Sequence, residues 1–144
     1  MENMKIHVST GNVEWETPQA FFDLLDNEFA FQLDVCATPG NAKCKKYISE
    51  NSLEHKWEGR CWMNPPYGRG IASWIKKAYD TAVCGNLVVC LIPARTDTRW
   101  WQKYVTQGDI WFVPGRLKFG GSEHNAPFPS AVVVFRPSVL TYKI

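Results

Sequence analysis

The chain has 144 residues, 45% of them hydrophobic and 21% charged, which suits one folded domain with a sizeable core and excludes a disordered or low-complexity protein. No apolar run approaches the ~20 residues of a membrane span, and no signal-peptide pattern opens the chain, so a cytoplasmic protein with no membrane contact is expected. The net charge is only +2, yet Lys5 is the one basic residue among the first forty, against seven acidic ones, while the rest holds fifteen basic and seven acidic residues. That asymmetry fits either a later part that faces phosphates or an unevenly charged solvated surface.

Residues 1–14 read as a loose arm of a single domain spanning 1–144. Thr17-Pro18 predicts a helix start, with Thr17 as N-cap and Pro18 at the first helical position, and Phe21, Phe22, Leu24, Leu25 and Phe29 supply its apolar face over roughly 18–28. Phe31 to Cys36 alternates like a strand and ends in small residues, Ala37-Thr38-Pro39-Gly40. Lys46-Tyr47-Ile48 suggests a brief strand, and Asn51-Ser52-Leu53 a turn. Arg60 to Met63 is a strand. Ile71, Trp74, Ile75, Ala78 and Ala82 share one face of a helix over 71–83, with Gly85 as its stop. Leu87 to Ile92 is a continuous apolar run, the pattern of a strand buried on both sheet faces. A helix through 97–106 and strands at 109–113 and 130–135 complete the chain. The expected class is α/β, a mostly parallel open sheet flanked by helices.

The five cysteines show no Cys-x-x-Cys spacing and read as reduced core thiols, so no metal is expected. No nucleophile elbow, Walker loop or catalytic histidine stands out.

Chemistry is concentrated in Asn64-Pro65-Pro66-Tyr67, which follows a strand and precedes a helix. An exocyclic amino nitrogen is a poor nucleophile because its lone pair is delocalised into the ring. The Asn64 side-chain oxygen and the Pro65 carbonyl are two acceptors able to localise that pair, Pro65 and Pro66 stiffen the corner, and Tyr67 offers a flat face for an extruded base. Pro-Pro-Tyr-Gly is also an ordinary turn composition. The motif specifies amino-group methyl transfer but leaves the acceptor open among adenine N6, cytosine N4, an RNA base and a protein glutamine. In open α/β sheets ligands bind beyond the carboxyl ends of the strands, and Asp34, Asn64 and Pro93-Ala94-Arg95 all follow strands, so they should share one edge.

The chain resembles the phage-type DNA adenine-N6 methyltransferases that use S-adenosylmethionine. The resemblance runs from Trp15 to Phe135 through Trp15-x-Thr17-Pro18, Leu33-Asp34-Val35-Cys36-Ala37, Asn41-Ala42-Lys43-Cys44, Trp62 to Gly68, Leu91 to Thr98, Gly115 to Phe119 and Ala126 to Ser130. It implies a compact, abbreviated Rossmann-like fold and transfer to adenine N6 of a base rotated out of double-stranded DNA. The host setting it implies is a bacterial cytoplasm, with the protein encoded by a phage or prophage and no obligate protein partner indicated. By the same resemblance Trp15, Thr17, Pro18, Asp34, Cys36, Ala37, Asn51 and Asn64 would hold the cofactor, with Thr17-Pro18 at its carboxylate and Asp34 at its amino group. Arg69, Arg95, Arg116 and Lys118 would meet DNA phosphates. Two departures stand out. The usual Gly-rich turn after the first strand is replaced by Cys36-Ala37-Thr38-Pro39-Gly40, and the middle elements between Asp34 and Cys61 are abbreviated. A catalytically inactive DNA-binding relative is the other reading that these departures allow.

Overall fold

The computed structural model describes residues 15–120 and 125–138, so the expected arm over 1–14 lies outside the described residues. Five strands form one sheet: β1 (Leu33–Asp34), β2 (Arg60–Met63), β3 (Leu87–Pro93), β4 (Asp109–Phe112) and β5 (Ser130–Phe135). Their spatial order is β1-β2-β3-β5-β4. The first two pairings are parallel, and β5 runs antiparallel to both β3 and β4. Four strands therefore point one way and β5 alone runs against them, which is the mostly parallel α/β sheet expected.

Among the described residues three helices cover the sheet: α1 (Gln19–Phe29), α2 (Ile71–Val83) and α3 (Arg99–Lys103). Helix α1 buries Phe22, Leu25 and Phe29, a spacing that keeps all three on one stripe. Phe22 meets Trp62 edge-on and Phe29 stacks on Trp111, so α1 crosses one face from β2 to β4. On the other face Tyr79 of α2 meets Phe135, and Trp101 of α3 stacks on Phe112. Helix α2 ends as its sequence predicts. Gly85 takes φ 100, its N–H reaches the Ala82 carbonyl at 2.9 Å, and the Asn86 N–H reaches that of Thr81 at 3.3 Å. The chain then enters β3, whose residues from Val88 to Pro93 are all buried.

The first helix begins later than expected. Pro18 is its cap position and makes no side-chain cap bond, while its carbonyl accepts from the Phe21 and Phe22 amides, both at 3.1 Å. Thr17 is not the N-cap; its hydroxyl is taken by Asn64 instead. Strand β1 is shorter than the expected 31–36, although the Gln32 and Val35 amides still reach the Arg60 and Trp62 carbonyls. Beyond it, Asp34 forms a parallel bridge with Tyr47, the brief strand predicted around 46–48. The abbreviated middle of the chain therefore consists of this bridge at the edge of β1 and a 3-10 turn at Ser52–Glu54. In the second half, the helix expected over 97–106 divides into α3 and a 3-10 turn at Val105–Gln107.

Strand direction sets the functional edge. The carboxyl ends of β1 through β4 lie together, and the connection from Val113 to Pro129 leaves and re-enters the sheet at that same edge.

Candidate functional site

At the carboxyl end of β2 the chain turns through Asn64 and two prolines. The Asn64 Nδ2 group donates to the Trp15 carbonyl and, at 2.9 Å, to Thr17 Oγ1. Both amide hydrogens are thereby used. The other amide atom, Oδ1, is buried and has no hydrogen-bond partner among the described residues. A buried acceptor left without a donor is costly, and such orphans in folded proteins call for a specific explanation.

Tyr67 is placed differently from its expected role. Its side chain is 6% exposed, its hydroxyl donates to the Leu91 carbonyl at 3.0 Å, and burial raises its pKa well above the usual value, so it stays a neutral donor. The ring sits edge-on to Phe128 at 5.5 Å and Phe119 at 6.3 Å, and both of these also pack on Trp15. The ring that the sequence suggests as a stacking face is buried and does not line the neighbouring cleft.

That cleft has a volume of about 360 Å³ and runs from Asn64, Pro65 and Pro66 across the ends of β1 and β2. Trp15, Thr17, Asp34, Cys36, Ala37 and Asn51 all contribute to its wall, together with Asn64. Pro18, named with them from the sequence, does not. Trp62 and Trp74 add apolar surface, and Trp74 is braced by stacking on Trp57 at 6.0 Å. Glu16, Asn41, Lys43 and Ser52 are further wall residues. Of these, Asn41 and Lys43 stand within the Asn-Ala-Lys-Cys run, whereas nothing in the sequence marks Glu16, Ser52 or Trp74.

Asp34 is the charged group of the cleft. It is 2% exposed, and its two oxygens accept from the Cys36 amide at 3.2 Å and the Lys43 amide at 2.9 Å. Burial raises its pKa from 3.8 to about 6, although the Lys43 and Cys36 amides and the Lys43 charge oppose the rise. A buried carboxylate at a strand end, only partly compensated by backbone donors, is a ready partner for a cation or ligand N–H group. The turn that replaces a Gly-rich loop is held by its own polar groups. The Thr38 amide donates to Asn41 Oδ1 at 2.7 Å, and the Asn41 amide returns a bond to the Thr38 carbonyl at 3.2 Å. Asn51 adopts φ 53 at the far side of the cleft, and the following Ser52 hydroxyl donates to the Val35 carbonyl while accepting from Trp57 Nε1 at 3.0 Å.

Arg69, Arg95, Arg116 and Lys118 are all solvent-accessible and have no carboxylate partner among the described residues. None lines the cleft. Arg69 follows β2, Arg95 follows β3, and Arg116 and Lys118 follow β4, so the topology gathers them at the carboxyl edge around the Asn64 corner. Arg95 lies 5.9 Å from the Phe128 ring centroid, a cation–π distance. Among the described residues no three His, Cys, Asp or Glu side chains are grouped to hold a metal ion, and no helix is long and apolar enough to cross a membrane. Burial pushes the Cys44 and Cys61 thiols up to about 12, which keeps them in the unreactive thiol form.

Comparison with known proteins agrees with this geometry. A DNA N-6-adenine-methyltransferase of Haemophilus phage HP1 (strain HP1c1) is 29% identical over 137 residues, covering 85% of this chain and 78% of the phage protein. A DNA N-6-adenine-methyltransferase of Escherichia phage T1 is 32% identical over 91 residues, covering 60% of this chain and 38% of that protein. The DNA N-6-adenine-methyltransferase (Dam) family matches residues 6–141. With nearly its whole length matched, and with the Asn-Pro-Pro-Tyr corner set beside a cleft, the chain belongs to the DNA N-6-adenine-methyltransferase (Dam) family.

Proposed function

We infer that this chain is a DNA adenine-N6 methyltransferase in which the buried, unpartnered Asn64 Oδ1 receives one hydrogen of the target amino group. The Pro65 carbonyl takes the other. Two acceptors on one amino group pull its lone pair out of ring conjugation and fix its direction, so the acceleration comes from positioning and fixed dipoles. S-adenosylmethionine supplies, when bound, an electrophilic methyl carbon attached to a sulfonium leaving group, so the residues around the amino group need little base strength.

The cleft fits such a cofactor. Asp34 would take its ammonium group, the Thr17 hydroxyl and nearby backbone would meet its carboxylate, and Cys36, Ala37 and Asn51 would border the nucleoside part, all of them residues of the cleft wall. Trp15, Trp62 and Trp74 give the same space apolar wall surface against which the cofactor would shed water. Double-stranded DNA would lie across Arg69, Arg95, Arg116 and Lys118, with the adenine rotated out of the helix to reach the corner. Stacking of that base on Tyr67 requires the buried ring to become exposed first. The setting this fits is the cytoplasm of a phage host.

The test is to incubate plasmid DNA with the purified protein and S-adenosylmethionine, then hydrolyse it and identify methylated nucleosides by mass spectrometry. N6-methyladenine is the expected product. N4-methylcytosine, or no methylated base alongside undetectable cofactor binding, would overturn the assignment.

A further inference from the structure

We propose that Thr17 is a positioning residue for methyl transfer: with the Trp15 carbonyl it holds the Asn64 amide so that Oδ1, and not Nδ2, faces the reacting amino group. This rests on the reading of Asn64 as an amino-group acceptor and adds to it. An asparagine amide is nearly symmetric in shape, so a half-turn would exchange an acceptor for a donor at the same point. A donor there would repel the N–H groups it must receive. Something must select the orientation.

The Trp15–Thr17 segment supplies that selection. The Trp15 carbonyl only accepts, so the flipped amide would set two oxygens against each other, whereas the observed orientation gives it an N–H. Thr17 Oγ1 takes the second N–H at 2.9 Å, and Thr17 is 3% exposed, so water cannot replace it there. The hydroxyl is not spent on the helix, since α1 starts without a side-chain cap bond. The segment itself is fixed. Pro18 restricts Thr17 to extended backbone, the Gly120 amide donates to the Glu16 carbonyl at 2.7 Å, and the Trp15 ring is packed edge-on against Phe119 and Phe128. The amide is therefore pre-aligned from a segment 47 positions upstream, at no reorganisation cost during the reaction.

Steady-state kinetics of T17V and T17S test this, with thermal melts reporting folding. Valine keeps the shape and removes the hydroxyl; kcat should fall about 10- to 100-fold, KM for DNA should change by less than about threefold, and KM for the cofactor should rise as well, because the same hydroxyl borders the cleft. Serine restores the acceptor and should recover kcat to within about threefold of the wild type. A second variant, N64D, keeps an acceptor but as a carboxylate has no hydrogen for Trp15. Its kcat should rise as pH falls and the acid form regains a donor, relative to the wild-type profile. Unchanged kcat in T17V, a rise in cofactor KM alone, or an N64D profile parallel to wild type would each overturn the proposal. A fully active N64A would instead overturn the acceptor role of Asn64 and this proposal with it.

Discussion

The Tyr67 hydroxyl donates to the Leu91 carbonyl at 3.0 Å, so the end of the proline corner is tied to the middle of the neighbouring buried strand. The bond gives a half-polar side chain the partner that its burial demands. Removing only the oxygen, Tyr67→Phe, should cost about 1 kcal/mol and lower the melting temperature by a few degrees. Tyr67→Ala would also empty the space between Phe119 and Phe128 and should cost about 3–5 kcal/mol. Thermal or chemical denaturation separates the two. Equal losses for both variants would mean that the ring contributes nothing beyond its hydroxyl.

Asn64→Ala removes the orphaned oxygen and the amide that Trp15 and Thr17 hold. Turnover of plasmid adenine should fall by about 10²–10³-fold, the effect of losing one pre-aligned polar group at a reacting centre. Cofactor affinity, read by calorimetry, should stay close to that of the wild type because Asp34 and the rest of the cleft wall remain. Wild-type turnover in this variant would remove Asn64 from the chemistry.

Asp34 makes stability depend on pH in a stated direction. Its folded pKa of about 6 lies above the ordinary 3.8, so the fold favours the protonated acid. That contribution is fully present below about pH 4, is lost as pH rises through about 6, and leaves the ionised protein less stable by about 3 kcal/mol. Denaturant titrations across this range should show the loss in the wild type and not in Asp34→Asn. A ligand that carries an ammonium group to Asp34 gains from ionisation, so its affinity should climb over the same interval. An affinity that falls on the alkaline side of pH 6 would contradict the pairing.

The cations at the carboxyl edge predict a salt effect. Alanine at Arg69, Arg95, Arg116 or Lys118 should weaken binding to unrelated DNA sequences equally and reduce the slope of log K against log salt by about one for each phosphate no longer neutralised. Fluorescence anisotropy over a range of salt concentrations reads this directly. A variant whose slope matches the wild type identifies a cation that does not touch the backbone.

Where local pattern and tertiary structure agree, the elements are legible in the sequence. Leu87 to Ile92 and Ser130 to Phe135 are apolar without interruption because both sheet faces are covered, and α2 carries its face at Ile71, Ile75, Ala78 and Ala82 with a glycine stop. Apolar alternation over 31–36 overstates β1 because it says nothing of where the partner strand diverges, and Asp34 turns its oxygens back onto its own chain at Cys36. The pattern over 97–106 overstates α3 because Thr98 caps the helix well while the chain tightens into a 3-10 turn at Val105. In the site, Asn64 and Asp34 are readable from residue type and strand position. The hydroxyl of Thr17 reads as a helix cap because its true partner is 47 positions away. Likewise, Trp74 fits a helix core face equally well, and its place on the cleft wall depends on Trp57 behind it.

Because β5 runs backward between β3 and β4, the stretch from Val113 to Pro129 begins and ends at the same sheet edge as the Asn64 corner, and both of its anchoring strands lie across β3 from Asp34. Phe119, Gly120 and Phe128 within it brace Trp15 and Glu16 on the cleft wall, so insertions clear of those three residues would leave the cleft intact. A reader of longer DNA words would find its natural place at this one address.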